Sequence, residues 1–425
     1  MLGILAASDE DALSGLYRKG WTAPDDVRSG VSAILTAVRD RGDAALLEYT
    51  RRFDAPGFEE DALRVHVPSL DELRGRLPND VTTALERAAE RIAEFHRRQL
   101  AADLAYTDAD GTYYALKTQP LGAIAAYVPG GTAVLPSSVL MNVLPAKQAG
   151  VARIVVLTPP QRDGSISDAI LFACALCGVD EVYAAGGAQA IAAAAYGTAA
   201  IAPVDKIVGP GNVWVTEAKR QVFGVCGIDG LAGPSEVLVV ADENADPAFA
   251  AGELLAQAEH DPLARVALVS TSRVLLERCL AELERRKNDA RSDIVAGVLE
   301  RSTYIIHAED RDAMFSVTTR FAPEHLSLQV GEPLEWISGL RNAGAVFCGP
   351  HTPVAWGDYI AGTNHVLPTS GAARFSSGLR TADFLRTFSV LQNSPARAKN
   401  DAPLVAALAA YEGLPNHART ALRQV

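Results

Sequence analysis

The sequence is short of cysteine, of basic charge and of long apolar runs, and each shortage closes off a class of protein. Five cysteines occur in 425 residues, at positions 174, 177, 226, 279 and 348. An odd and scattered set of this kind does not frame a disulfide scaffold. Cys174 and Cys177 make one CxxC within LFACALCGVD, with no second pair at zinc-finger spacing; they read as small buried residues of a helix packed on a sheet. Lys and Arg number 39 against 51 Asp and Glu, a formal net charge of −12. A surface of that sign repels a phosphate backbone, so nucleic acid is not an expected partner. The opening MLGILAASDEDALSG lacks the basic start of a signal peptide and soon turns acidic. The weakly polar stretch from Ala184 to Val204 is mostly Ala, interrupted by Gly186, Gly187, Gln189, Gly197 and Pro203, and offers too little transfer energy for a membrane span. A cytoplasmic protein without a membrane partner is expected. Neither a low-complexity segment nor an internal repeat is present.

What remains is a globular composition, 48% hydrophobic and 21% charged, in a chain long enough for two or more domains. Residues 26–110 read as mostly helical, with apolar residues at three- and four-residue spacing over Val27 to Tyr49 and Asp80 to Leu100, and a short strand at Leu63–Val67. From 118 to 240, strands at Ala123–Val128, Arg153–Thr158, Glu181–Ala184 and Lys206–Val208 alternate with helices near 137–149, 166–178, 188–196 and 213–222. A second alternation follows, with strands at Val237–Val240, Val266–Ser270, Tyr304–Ile306 and Ala345–Phe347 between helices near 247–258, 272–286, 309–319 and 333–342. Apolar strands alternating with helices predict parallel, doubly wound sheets. From 371 the composition predicts a helical tail over 383–391 and 401–424, polar enough to need a partner surface. The expected fold is α/β: two Rossmann-like parallel-sheet units, N-terminal helices and a C-terminal helical tail. Its expected segments are an N-terminal helical arm (1–25), a discontinuous α/β domain (26–117 plus 236–370), a second Rossmann-like domain (118–235) and a tail reaching a partner subunit (371–425).

Four clusters carry chemistry. In YVPGGTAVLPSSVLMNVLPAKQAG, from Tyr127, a strand ends in Pro-Gly-Gly before a helix near Ser137, a turn that frees backbone N–H groups for an anion; it is not GxGxxG. GGAQAIAAAAYG and VGPGNVWVTEAKRQV place glycines at carboxyl ends of strands, where open α/β sheets bind ligands. Gln189 and Asn212 stand there with amides that could reach a ribose or a carboxamide, or could cap their own helices. In LLAQAEHDP, Gln257 and His260 are three apart on one helix face, a spacing that suits a borderline metal or a plain helix end. The run from 321 to 371 holds Glu324 and His325 in a loop after a proline, then Asp358 and His365 in a Gly-rich stretch; ionisable residues in such loops mark a site, although Asp and Asn after Gly also make ordinary turns. His66, His96, His307 and His351 carry no local signal, and surface or cap roles are expected of them.

In order from about 120 to 417, the stretches YVPGG, PSSVLMN, GGAQAIA, VGPGN, VTEAKRQV, AGPSEVLV, QAEHD, FAPEHL, GDY, NHVLPT and EGLPNH closely resemble histidinol dehydrogenase. The resemblance covers roughly the last three-quarters of the chain. It implies oxidation of L-histidinol to L-histidine through L-histidinaldehyde, with NAD as acceptor and Zn2+ bound, in a homodimer whose sites draw on both subunits. It implies zinc ligands Gln257, His260, Asp358 and His417, a catalytic pair Glu324 and His325, substrate contacts that include Ser235, His365 and Glu412 beside these ligands and His325, and NAD contacts Tyr127, Gln189 and Asn212. An N/O set without thiolate can take two further nitrogens from substrate and orient it. His325 suits a base for the hydroxyl proton, Glu324 a base for water, and His365 a donor to the developing oxyanion. The chain departs from the family pattern in three places. Pro353-Val354-Ala355-Trp356 stands where many members have Pro-Glu-Ser/Thr, PLGAIAA lacks the usual Arg-Val-Gly, and Leu135 replaces a Tyr. Two other readings compete. A relative could oxidise another polar alcohol, such as a sulfonated diol or amino polyol, but the retained Glu412 and His417 favour the imidazole substrate. A two-lobed binding protein would have no use for Glu324 and His325.

Overall fold

The structure, a computed structural model, describes residues 3–17, 19–100, 102–130 and 134–423. Alternation of strand and helix builds a first six-stranded sheet in the order Arg64–Val65, Val182–Ala184, Arg153–Thr158, Ala123–Tyr127, Lys206–Val208 and Gly227–Ile228. Its neighbours are parallel except for the two-residue first strand. Ala125, Tyr127, Val155 and Ile207 face one helical layer, while Ile124, Ala126, Val156 and Val208 face the other. Both faces being covered, the strands are apolar throughout. The chain runs outward from Ala123–Tyr127 and then returns to its other side at Lys206–Val208, which opens a crevice at the carboxyl ends of those two strands. Gly209 turns there with φ +109°, and a Cβ would lie 2.2 Å from the Tyr127 carbonyl oxygen, so only glycine fits.

A second, wholly parallel sheet has the order Ile4–Ala6, Thr303–His307, Arg265–Ser270, Glu236–Ala241, His325–Gln329 and Ala345–Cys348. Its switch point lies between Glu236–Ala241 and His325–Gln329. Leu326 and Leu328 pack in one core. On the opposite face of that strand stand His325, Ser327 and Gln329, all buried, a polar stripe in the middle of a sheet. A third, antiparallel sheet pairs Leu385–Gln392 with Tyr113–Pro120, and that strand with Leu104–Thr107.

Both alternations appear where the sequence places them, and four expectations need correction. First, the N-terminal arm is not merely helical: Ile4–Ala6 is the edge strand of the second sheet. Second, the helices Asp25–Arg41, Asp43–Phe53 and Asn79–Arg97 pack their apolar stripes on the first sheet's helices Gly187–Tyr196, Val213–Val222 and Pro136–Ala149, and of the segment 236–370 the last of them meets the stretch 360–366. Third, residues 383–391 are not helical: Leu385–Gln392 is a strand, ladder-bonded along Tyr113–Pro120. Fourth, only Glu324 sits in the connection: the preceding helix ends at Phe321, Ala322 caps it in the left-handed region (φ 52°), Glu324 lies in the bend after Pro323, and His325 opens a central strand.

The tail forms helices Pro395–Tyr411 and Pro415–Leu422, which pack on each other. Leu404, Leu408, Tyr411 and Leu414 are exposed, Tyr411 by 93%. Among the described residues, no helix is long and apolar enough to cross a membrane.

Candidate active site

The second sheet's switch point brings Glu324 and His325 beside Glu236. The Glu236 backbone N–H donates to Glu324 Oε2 at 2.9 Å, and His325 Nδ1 lies 3.0 Å from the Glu236 carbonyl oxygen. A carbonyl only accepts, so Nδ1 carries the proton and Nε2 is the basic nitrogen. That Nε2 is buried without a hydrogen-bond partner, 3.7 Å from Asp358 Oδ1. Gly344 lets the neighbouring strand approach: a Cβ there would stand 2.5 Å from the Glu324 carbonyl oxygen. Glu236 is itself fully buried and paired with Arg265.

Burial pushes the Glu324 carboxyl up to about 7. Burial alone would lower His325, but the carboxylates of Glu324 and Asp358, with the Glu236 carbonyl, hold it above the ordinary imidazole range. Asp358, on the Val354–Tyr359 helix, is pushed up by burial and brought below its ordinary value by His325, His365 and His260. Burial lowers His365 against the pull of Asp358. Asn364 fixes the backbone beside His365: its Nδ2 donates to the Met141 carbonyl at 2.7 Å, and its Oδ1 accepts from Val366 N–H. His96 Nε2 lies 3.4 Å from the same amide, and His96 is fully buried with Nδ1 on the Ile92 carbonyl. That corrects the surface or cap role expected of His96.

Gln257 lies near the end of the Pro247–Ala258 helix, buried, with Nε2 unpartnered. His260 follows the helix end, exposed, its N–H on the Gln257 carbonyl. Ser235 immediately precedes Glu236, half-buried. The structure thus gathers His325, His365 and His260 around Asp358, with Glu324 in reach of His325 and Asp358. Glu412 and His417 are exposed on the tail, and no hydrogen bond or ion pair among the described residues ties them to this cluster. Nor, among the described residues, does any group of three His, Cys, Asp or Glu converge as a metal site; the expected set draws only His260 and Asp358 of those types from one chain.

Tyr127, Gln189 and Asn212 lie at the first sheet's carboxyl ends. The Tyr127 hydroxyl accepts the Gly187 N–H at 3.2 Å, and burial raises this phenol to about 12. Gln189 Nε2 reaches Asp54 Oδ2 at 3.3 Å, and burial pushes Asp54 up to about 6. Asn212 Oδ1 caps the Val213–Val222 helix, one of the two roles its position allowed. Of the Pro129-Gly130-Gly131 turn, residues 131–133 lie outside the described residues. A cavity of about 430 Å3 is lined by Trp21, Pro210, Asp229, Thr369, Arg374 and Phe375 among others, with no member of the Glu324 cluster in its wall. Sequence reasoning missed Glu236, Glu253 and Asp54. The signal for the two glutamates was a single carboxylate inside an apolar strand, EVLVVA, and inside an apolar helix, AFAAGELLAQA.

A buried carboxylate–imidazole pair at the switch point of a parallel sheet, beside a second sheet with glycine-rich carboxyl-end turns, marks an α/β enzyme. A family model described as histidinol dehydrogenase matches residues 18–424. Histidinol dehydrogenase of Rhizobium meliloti is 47% identical over 93% of this chain and 91% of its own, and that of Methanothermobacter thermautotrophicus 45% over the whole of both. The crystal structure of histidinol dehydrogenase from Elizabethkingia anophelis superposes with TM-score 0.93 at 32% identity, covering 99% of this chain and 97% of that one. The chain belongs to the histidinol dehydrogenase family.

Proposed function

We propose that the protein oxidises L-histidinol to L-histidine through L-histidinaldehyde, passing two hydrides to two NAD, as a zinc-dependent homodimer in the cytoplasm. The observation that carries this reading is the buried His325 Nε2, left unpartnered while Nδ1 is committed to the Glu236 carbonyl. It is the base that an alcohol oxidation needs. In its neutral form His325 takes the hydroxyl proton at Nε2 as the carbinol carbon gives up its hydride, for which NAD, when bound, would supply the acceptor. Glu324 then takes a proton from water, the hydroxide adds to the aldehyde carbon, and the hydrate releases the second hydride. Neutral His365 donates to the developing oxyanion.

The residues fit a zinc ion in their chemistry. An amide oxygen, an imidazole and a carboxylate from Gln257, His260 and Asp358 form an N/O set, and Gln257, buried near the end of its helix, would turn its amide oxygen to the ion. His417 of the partner subunit would complete the set, with the partner subunit's Glu412 on the substrate. When bound, zinc supplies Lewis-acid anchoring of the substrate's nitrogens. Tyr127, Gln189 and Asn212 would line the NAD site and Ser235 the substrate site, which divides cofactor and substrate between the two sheets.

Purified protein supplied with zinc and NAD should form two NADH per L-histidinol. No NADH from L-histidinol, with turnover of another amino or sulfonated alcohol, rejects the substrate and leaves a related dehydrogenase.

A further inference from the structure

Glu253 lies in the Pro247–Ala258 helix, one turn before Gln257, and is buried. Its carboxylate accepts the Val354 N–H, at 3.1 and 3.4 Å from its two oxygens, and Ser327 stands beside it, lowering the acid's pKa against the burial that raises it. Ser327 in turn accepts Gln329 Nε2 at 2.9 Å, and Gln329 also reaches the Gly349 carbonyl at 3.3 Å. Each contact leads to a carrier of the site. Val354 begins the short helix that ends in Asp358 and Tyr359. Ser327 is two residues past His325 on the same strand face. Gln257 and His260 follow on Glu253's own helix and its end.

Leaving a carboxylate in an apolar core is costly unless its oxygens are used. A carboxylate offers acceptor sites for both Val354 and Ser327, whereas an amide has one oxygen for two donors. Val354, where the family pattern often has Glu, is buried in the same core.

We propose that Glu253 is a positioning residue: it locks the elements bearing Gln257 and His260, His325, and Asp358 into one register. It touches no reacting atom. The inference rests on the zinc and histidinol reading of that site. It is tested in the full-length protein with Glu253→Gln, Glu253→Asp and Ser327→Ala, measuring zinc affinity by chelator competition, kcat, KM for L-histidinol and for NAD, and thermal unfolding. Glu253→Gln should weaken zinc and lower kcat/KM for L-histidinol by about 10- to 100-fold, leaving KM for NAD unchanged. Glu253→Asp should recover part of the loss, and Ser327→Ala should shift both quantities the same way by less. Zinc affinity and kcat/KM within about twofold of wild type in Glu253→Gln, even with a lowered melting temperature, overturn the proposal. If that variant does not fold, wild-type parameters in Ser327→Ala overturn it. If wild type binds zinc but does not turn over L-histidinol, the substrate reading fails while the zinc comparison still decides the role of Glu253.

Discussion

At the scale of single residues, Glu324 combines a demanding task with an expensive location. Burial raises its carboxyl to about 7 from an ordinary 4.5. Between those values the folded chain holds a proton that the unfolded chain has released. Stability contributed by this group is therefore present below about pH 4.5 and is lost as pH rises through about 7. As the base for water it must be ionised, so oxidation of L-histidinaldehyde should rise with pH through the same region. Glu324→Gln should lower aldehyde oxidation by about 10²- to 10⁴-fold and cut the yield toward one NADH per L-histidinol. The same variant should melt higher than wild type, by a margin that widens between about pH 4.5 and 7 and levels off above. Aldehyde oxidation at the wild-type rate, or a margin that narrows with rising pH, would reject this assignment. The pair itself was legible in FAPEHL. Its clamp was not, because Glu236 contributes backbone atoms, and the backbone of a distant residue carries no local sign in a sequence.

Among elements, the second sheet depends on one buried ion pair at the mouth of the site. Glu236 is fully buried against Arg265, and Arg265 also donates to the Gly15 and Leu16 carbonyls. Arg265→Met removes the cation and leaves an uncompensated carboxylate, which should destabilise the fold by about 3–5 kcal/mol, read from the denaturant midpoint. Adding Glu236→Gln should restore part of that loss, since the stranded charge is then gone. A midpoint unchanged in Arg265→Met, or a double variant weaker than the single, would show that the pair does not hold the sheet. Most elements of both parallel sheets were legible because continuous apolar strands announce themselves. The His325–Gln329 strand was not: its polar stripe of His, Ser and Gln resembles a loop. Leu385–Gln392 was misread as helix for a related reason. It is an antiparallel strand with an exposed face, and its partner Tyr113–Pro120 lies far away in sequence.

For the molecule as a whole, the tail serves its own chain only in part, through the strand Leu385–Gln392 laid along Tyr113–Pro120. Its two helices present Leu404, Leu408, Tyr411 and Leu414 to solvent, a row of apolar side chains that a lone protomer has no reason to expose. A two-fold dimer would cover this row and carry Glu412 and His417 to the other subunit's Asp358. His417→Ala and His325→Asn homodimers should each be inactive. Unfolded together and refolded as a mixture, they should regain about a quarter of wild-type activity, because half of the dimers are then hybrids and each hybrid joins one intact body to one intact tail. A tail serving its own chain could never produce that recovery, since every chain would carry one lesion in its own site. Activity that stays at zero in a mixture shown by mass to contain hybrids therefore returns His417 to its own subunit and removes the partner from the zinc set.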